Sequence, residues 1–354
     1  MERIICAPSQ YSQGQHLIKK LASYYKKIGN QSAYIIVDSF INQTYHDMII
    51  KSFEVSHTPY TLTVFGKECC MEEIQLHIHA HTLNAYDVVI GIGGGKTLDT
   101  AKAVAHFLHL PVIILPTSVS SDAPCSQISA IYTADGCFDY YLQLGTNPNM
   151  VIVDTSLIIQ APIRLFVAGM GDALSTYYES YACYQSGARS QVGGTITKAA
   201  LALSKLALNT LLEDGYAAKC AIEKKVDSPA VNNIIEANTY LSGVGFENCG
   251  LALAHATANA LSKLPTSTVS LHGEKVAFGT LLQIILEQRP KSEIQSIISF
   301  CCTVGLPTTL TALGVQEDQL HTLIPLILEE PGIKNMPFSI TSDMLYEALI
   351  SLIH

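Results

Sequence analysis

The chain has 354 residues, 48% hydrophobic and only 14% charged, with a net charge of −9. That length and apolar content support two domains with sizeable cores. The acidic balance and the lack of any Lys/Arg run exclude nucleic acid and anionic membrane surfaces as partners.

The start, MERIICAPSQ, has no long apolar segment or cleavage pattern, and apolar runs elsewhere are short or interrupted. Neither a signal peptide nor a membrane-spanning helix is expected. The ten cysteines are scattered without C-x-x-C spacing, as in a reduced cytoplasmic protein. The adjacent pairs Cys69-Cys70 and Cys301-Cys302 are expected to fill core, since neighbouring residues rarely make an unstrained disulfide.

Residues 1 to about 155 alternate short strands with helices. Residues 3–7 read as the first strand. Residues 14–27 read as an amphipathic helix with Leu17, Ile18, Leu21 and Tyr24 on one side, stopped at Gly29. Strands are expected at 33–37, ending in Asp38, and at 61–65, with a helix at 72–83. His77, His79 and His81 fall on that helix, where only His77 and His81 share a face. They are expected at the surface, with adventitious metal affinity at most.

Residues 87–107 (DVVIGIGGGKTLDTAKAVAHF) carry the central motif. A β-branched run, Val88-Val89-Ile90, leads into Gly93-Gly94-Gly95, then Lys96-Thr97 and a helical pattern from Leu98. Glycine lets the backbone approach a phosphate. The first N–H groups of the helix lack partners, and its dipole favours an anion. A G-x-G-x-x-G starting at Gly91 meets Lys96 where its last glycine belongs. A P-loop ending at Thr97 needs glycine at Ile90. The stretch therefore reads as a diphosphate loop of another type, with Lys96 adding positive charge.

Residues 111–115 form a further strand, and 116–126 (PTSVSSDAPCS) a hydroxyl-rich loop suited to a polar ligand. Residues 127–133 and 137–142 flank Ala134-Asp135-Gly136 as a hairpin, and 150–154 is a last strand. The βαβ rhythm predicts a mainly parallel sheet with helices on both faces. Ligands bind at the carboxyl ends of such strands. An acid at Asp38 can hydrogen-bond a ribose diol and repel a 2′-phosphate, which favours NAD over NADP.

Beyond about residue 158 strand signals vanish. Ala/Leu-rich helical stretches follow, among them 198–212, 231–244, 249–264, 273–286 and 292–304. A second, all-helical domain from 161 to 354 is expected. Within it Asp172 lies among small residues, His255 inside an apolar helix and His272 at a helix start. Two imidazoles and a carboxylate form the three-ligand pattern of catalytic zinc with an open position. From spacing alone, a single buried histidine reads more often as a hydrogen-bonded core residue than as a ligand.

Several stretches together resemble the iron-containing (group III) alcohol dehydrogenase family, specifically its glycerol dehydrogenases, within the dehydroquinate-synthase-like fold. They are GIGGGKTLDTAKAVA from Gly91, LPTSVSSDAPCS from Leu115, APIRLFVAGMGDALSTYYES from Ala161, GLALAHATANAL from Gly250 and LHGEKVAFGTLLQ from Leu271. The resemblance implies an α/β, Rossmann-like NAD-binding domain over residues 1–160. An α-helical metal-binding domain would cover 161–354, with the active site between them. It implies adenosine ribose at Asp38 and pyrophosphate at Gly94, Gly95 and Lys96. Thr117, Ser120, Ser126, Ile128 and Tyr132 would line the rest of the NAD site. Asp122 would contact the substrate, and Asp172, His255 and His272 would hold the metal.

The implied activity is NAD- and zinc-dependent oxidation of glycerol, or a related vicinal diol, to dihydroxyacetone by hydride transfer from a metal-bound alkoxide. The implied assembly is a homo-oligomer, which in such relatives is often an octamer. Two departures matter. Iron-type relatives carry a histidine four residues after the metal aspartate, where this chain has Thr176, which favours zinc. Many relatives have a histidine near the substrate where this chain has Ala258. The alternatives are an NAD(P)H-dependent reductase of 2-oxo acids or aldehydes on the same fold, or a dehydroquinate-synthase-like lyase.

Overall fold

The computed structural model describes residues 2–265 and 269–353. The chain forms two compact units. One holds Ala7–Val119 and Ala123–Ala161; the other holds everything from Pro162 onward, Ser120–Asp122 and the N-terminal stretch ending at Cys6.

The first unit runs β1 (Gln10–Gly14), α1 (Leu21–Tyr25), β2 (Ala33–Val37), α2 (Ser39–Val55), β3 (Tyr60–Val64) and α3 (Met71–Leu83). It continues with β4 (Val88–Gly93), α4 (Gly95–Leu108), β5 (Val112–Pro116), β6 (Ile128–Tyr132), β7 (Phe138–Gln143), β8 (Met150–Asp154) and α5 (Thr155–Ile158). Six strands make a parallel sheet in the order β1-β8-β5-β4-β2-β3, and β6 and β7 pair as an antiparallel hairpin. The strands β2, β4, β5 and β8 are buried along their whole length, as apolar runs covered on both faces should be.

The chain leaves β2 for β3 on one side and then returns to β4 on the other. The carboxyl ends of β2 and β4 therefore flank a topological switch point, where open α/β sheets bind ligands. Helix α4 packs tightly on β4: a Cβ added at Gly91 would lie 2.6 Å from the Ala101 Cβ.

Three expectations need correction. The apolar run 3–7 is not the first strand; Arg3 bridges to Thr195, and Asn248 bonds both the N–H and the carbonyl of Cys6 (2.6 and 2.7 Å). The strand is instead the polar QYSQG of β1, which needs no apolar run because it lies at the sheet edge. The helix expected at 14–27 is a short 3-10 turn (Leu17–Lys20) followed by the five residues of α1. Third, His77 is buried, bonded between the Tyr34 hydroxyl (2.8 Å) and Glu73 (3.2 Å).

The second unit is helical: α6 (Ile163–Ser186), α7 (Lys198–Glu223), α8 (Pro229–Glu236), α9 (Ser242–Cys249), α10 (Leu253–Ser262) and α11 (His272–Leu286). It ends with α12 (Lys291–Val304), α13 (Leu320–Glu329) and α14 (Ser342–Ser351). A π turn, Ala237–Leu241, joins α8 to α9. The helices α6 and α11 meet with nothing between their backbones. A Cβ at Gly171 would lie 2.3 Å from the Gly273 carbonyl oxygen, and one at Gly273 would lie 1.8 Å from that of Ala168. No described helix is long and apolar enough to cross a membrane.

Candidate active site

In the sheet unit, the expected nucleotide-binding residues gather at the switch point. Asp38 follows β2 and donates its N–H to the Ile92 carbonyl of β4 (2.9 Å). Its Oδ1 caps α2 by accepting from the N–H groups of Phe40 and Ile41 (2.9 and 3.3 Å). That cap starts the helix, which then buries Ile41, Ile49 and Phe53. Gly94 and Gly95 stand at the N-terminus of α4, and a Cβ on either would meet nothing within 4 Å. Open space over unpartnered helix N–H groups is an anion cradle.

Thr117 follows β5 and donates its N–H to the Gly93 carbonyl (3.0 Å). Lys96 pairs with Glu68, and its Nζ lies 4.9 Å from the centre of the Tyr132 ring. Burial pushes the Tyr132 hydroxyl up to about 12, so it remains a neutral donor. Ser126 is buried and donates to the Ala123 carbonyl (3.0 Å), and Ile128 opens β6. Ser120 belongs to the helical unit.

In the helical unit, three elements bring Asp172, His255 and His272 together. Asp172 is on α6, His255 on α10 and His272 opens α11. One donor atom from each lies within 4.8 Å of the others. The Nε2 atoms of both histidines stand 3.4 Å from Asp172 Oδ1. That oxygen is fully enclosed and makes no hydrogen bond. An orphaned buried carboxylate oxygen facing two imidazole nitrogens fits a divalent cation. Burial opposes charge on Asp172, yet His272 and His255 hold its carboxyl well below the usual range.

Glu179, two turns further along α6, fixes His255. Its Oε1 accepts the N–H groups of Ala252 and His255, each at 2.8 Å, and its Oε2 lies 2.6 Å from His255 Nδ1. Nδ1 therefore donates to Glu179, which leaves Nε2 as the ring atom that an ion would take, in place of a proton. Burial alone would lower the His255 pKa, but the Glu179 and Asp172 carboxylates raise it well above its ordinary value. Glu179 went unread in the sequence, although an acid seven residues after Asp172 returns to the same helix face.

Asp122 joins this cluster within the helical unit. Its N–H donates to Asp172 Oδ2 (3.2 Å), and its own Oδ2 accepts from the Ser242 hydroxyl (2.6 Å). Ser242 follows the π turn and is bonded in turn to Thr176 (2.7 Å). Burial first, then the Asp172 charge, raises the Asp122 carboxyl well above the carboxylate range. Two neighbouring carboxyl groups are thus pushed apart, a pattern that separates a charged role from a neutral one.

A sequence profile of the family described as iron-containing alcohol dehydrogenase matches residues 8–155. A glycerol dehydrogenase of Escherichia coli O6:H1 is 47% identical over 356 residues, covering 99% of this chain and 96% of that protein. One from Pseudomonas putida is 43% identical over 355 residues, covering 99% and 97%. The crystal structure of a probable glycerol dehydrogenase from Sinorhizobium meliloti 1021 matches with a TM-score of 0.91 and 38% identity, covering 99% and 98%.

Proposed function

The chain belongs to the iron-containing alcohol dehydrogenase family and is an oxidoreductase of its glycerol dehydrogenase class; from that premise we propose that it oxidises glycerol, or a related vicinal diol, to the hydroxyketone with NAD and zinc. The observation that carries the reading is the Asp172–His255–His272 cluster with its orphaned oxygen. Those three residues would hold the metal. Thr176 sits where a fourth protein ligand would come in iron-type relatives, and its hydroxyl is engaged with Ser242. Three ligands and an open position suit catalytic zinc.

When bound, the metal supplies Lewis acidity toward a hydroxyl, and the nicotinamide accepts the hydride. The chain's own groups bind and orient. Asp122, held by Ser242 and by its N–H to Asp172, offers a carboxyl to a polyol hydroxyl. Gly94, Gly95 and Lys96 take the pyrophosphate, and Asp38 takes the adenosine ribose. Thr117, Ser126, Ile128 and Tyr132 complete the cofactor site in the sheet unit. The same reading carries a cytoplasmic homo-oligomer with reduced thiols; among the described residues no two cysteines form a disulfide.

A substrate panel with NAD and NADP, run beside metal analysis, tests this. One zinc per chain and NAD reduction with glycerol are expected, with NADP much weaker. Turnover of a 2-oxo acid but not glycerol, or full activity in metal-free His255→Ala, would defeat the proposal.

A further inference from the structure

The buried face of α4 carries a cation that none of the assigned roles uses. Lys102 is 1% exposed. Its Nζ reaches Asp99 Oδ1 at 2.8 Å, the Ala123 carbonyl at 3.1 Å and the Ile128 carbonyl at 2.5 Å. Two carbonyls accept from the ammonium, and the Asp99 carboxylate beside it supplies the opposite charge as an ion pair, without a hydrogen bond to Oδ1. Ser126 donates to the same two carbonyls, at 3.0 and 3.4 Å, so Lys102 and Ser126 grip one turn from two sides.

Asp99 acts on the residues that follow. Its Oδ2 accepts the Ala130 N–H (3.1 Å), and its backbone carbonyl accepts the Ser129 hydroxyl (3.0 Å). One turn back, Lys96 lies over the Tyr132 ring. Successive turns of α4 thus tie down β6 at three heights: Lys96 on Tyr132, Asp99 on Ser129 and Ala130, Lys102 on Ile128. A buried ammonium is retained only where all its acceptors are in place. A helix face needing no more than packing would carry Leu or Met there.

We propose that Lys102, with Asp99, is a positioning residue for the cofactor site. It fixes residues 123–132 to the helix whose N-terminus bears the glycine loop. Ser126, Ile128 and Tyr132 then keep a set relation to Gly94, Gly95 and Lys96. This rests on the cofactor assignment above and goes beyond it, because Lys102 is itself buried and acts through the residues it holds.

The test is a fluorescence titration with NADH on the full chain and on Lys102→Met, beside steady-state kinetics. NADH binds about tenfold or more weakly to Lys102→Met, and the KM for NAD rises in parallel. The KM for glycerol and the zinc content hold, and kcat at saturating NAD falls far less than the affinity. Should Lys102→Met fail to fold, Ser129→Ala removes one hydrogen bond of the same ladder. It is expected to weaken NADH about threefold with the glycerol KM unchanged. A folded Lys102→Met or Ser129→Ala with the wild-type NADH affinity overturns the inference, as does an equal rise in both KM values. A wild-type chain that binds no NADH removes the cofactor assignment and this inference with it.

Discussion

The Glu179 carboxylate holds His255 at two points, the backbone N–H at 2.8 Å and the ring Nδ1 at 2.6 Å. Main chain and imidazole are therefore positioned by one rigid group. Glu179→Gln keeps the shape but loses the charge that makes Nε2 a strong donor. Zinc affinity should fall about 10–100-fold, measured by competition with a chelating dye. Unchanged affinity would mean that His255 needs no such partner.

Gly171→Ala should be costly in two ways. The new methyl would meet the Gly273 carbonyl oxygen at 2.3 Å, a backbone atom that cannot step aside alone. Overpacking of this kind costs about 1–3 kcal/mol, and the forced separation carries Asp172 away from His272. Thermal melts with and without zinc should show a lower Tm and a smaller zinc-induced rise. A variant that melts and loads like the wild type would place the tolerance elsewhere.

Gly94→Ala should behave in the opposite manner. Its φ of −82° and ψ of 178° suit any residue, and nothing lies within 4 Å of the added carbon. The fold should be unharmed or stabilised by up to about 1 kcal/mol. The methyl nevertheless stands where a phosphate would approach the backbone, so the KM for NAD should rise about tenfold. A rise in KM without loss of Tm marks a glycine kept for a ligand. A drop in Tm with an unchanged KM marks one kept for folding.

The buried His77 gives a pH signature. Burial lowers its pKa against the pull of Glu73, so the folded state holds it neutral where the unfolded state takes up a proton. Its contribution to stability is complete above about pH 6.5, the unfolded value. It is lost as the pH falls below that, until the folded group also titrates, at up to about 1.4 kcal/mol per pH unit. Urea midpoints of wild type and His77→Gln should converge as the pH drops from 7 toward 5. A pH-independent difference would refute the assignment.

Much of the fold could be read from the chain, because β2, β4, β5 and β8 are apolar runs separated by glycine and helical periodicity. The edge strand β1 is hard to read because its residues are polar, and 3–7 mislead because the stretch up to Cys6 belongs to the helical unit, where Arg3 bridges to Thr195. Helix α2 escaped because its signal is a cap at Asp38, a residue noticed for its possible ligand alone. The metal cluster was legible only through family resemblance. Its members come from three helices, and no local spacing links Asp172 to His255 or His272. Glu179, Ser242 and Lys102 were missed for a related reason: each acts by holding another residue, and a partner across helices leaves no periodic trace.

The crossing of α6 and α11 has a wider meaning. Where two helices touch through side chains, their spacing drifts whenever those side chains change. Here it is set by peptide groups in direct apposition, and it holds whatever the neighbouring side chains become, as long as Gly171 and Gly273 stay glycine. The distance between Asp172 and His272 is thus insulated from turnover in the surrounding core, leaving the chain free to vary what it accepts as substrate without retuning the ion's seat.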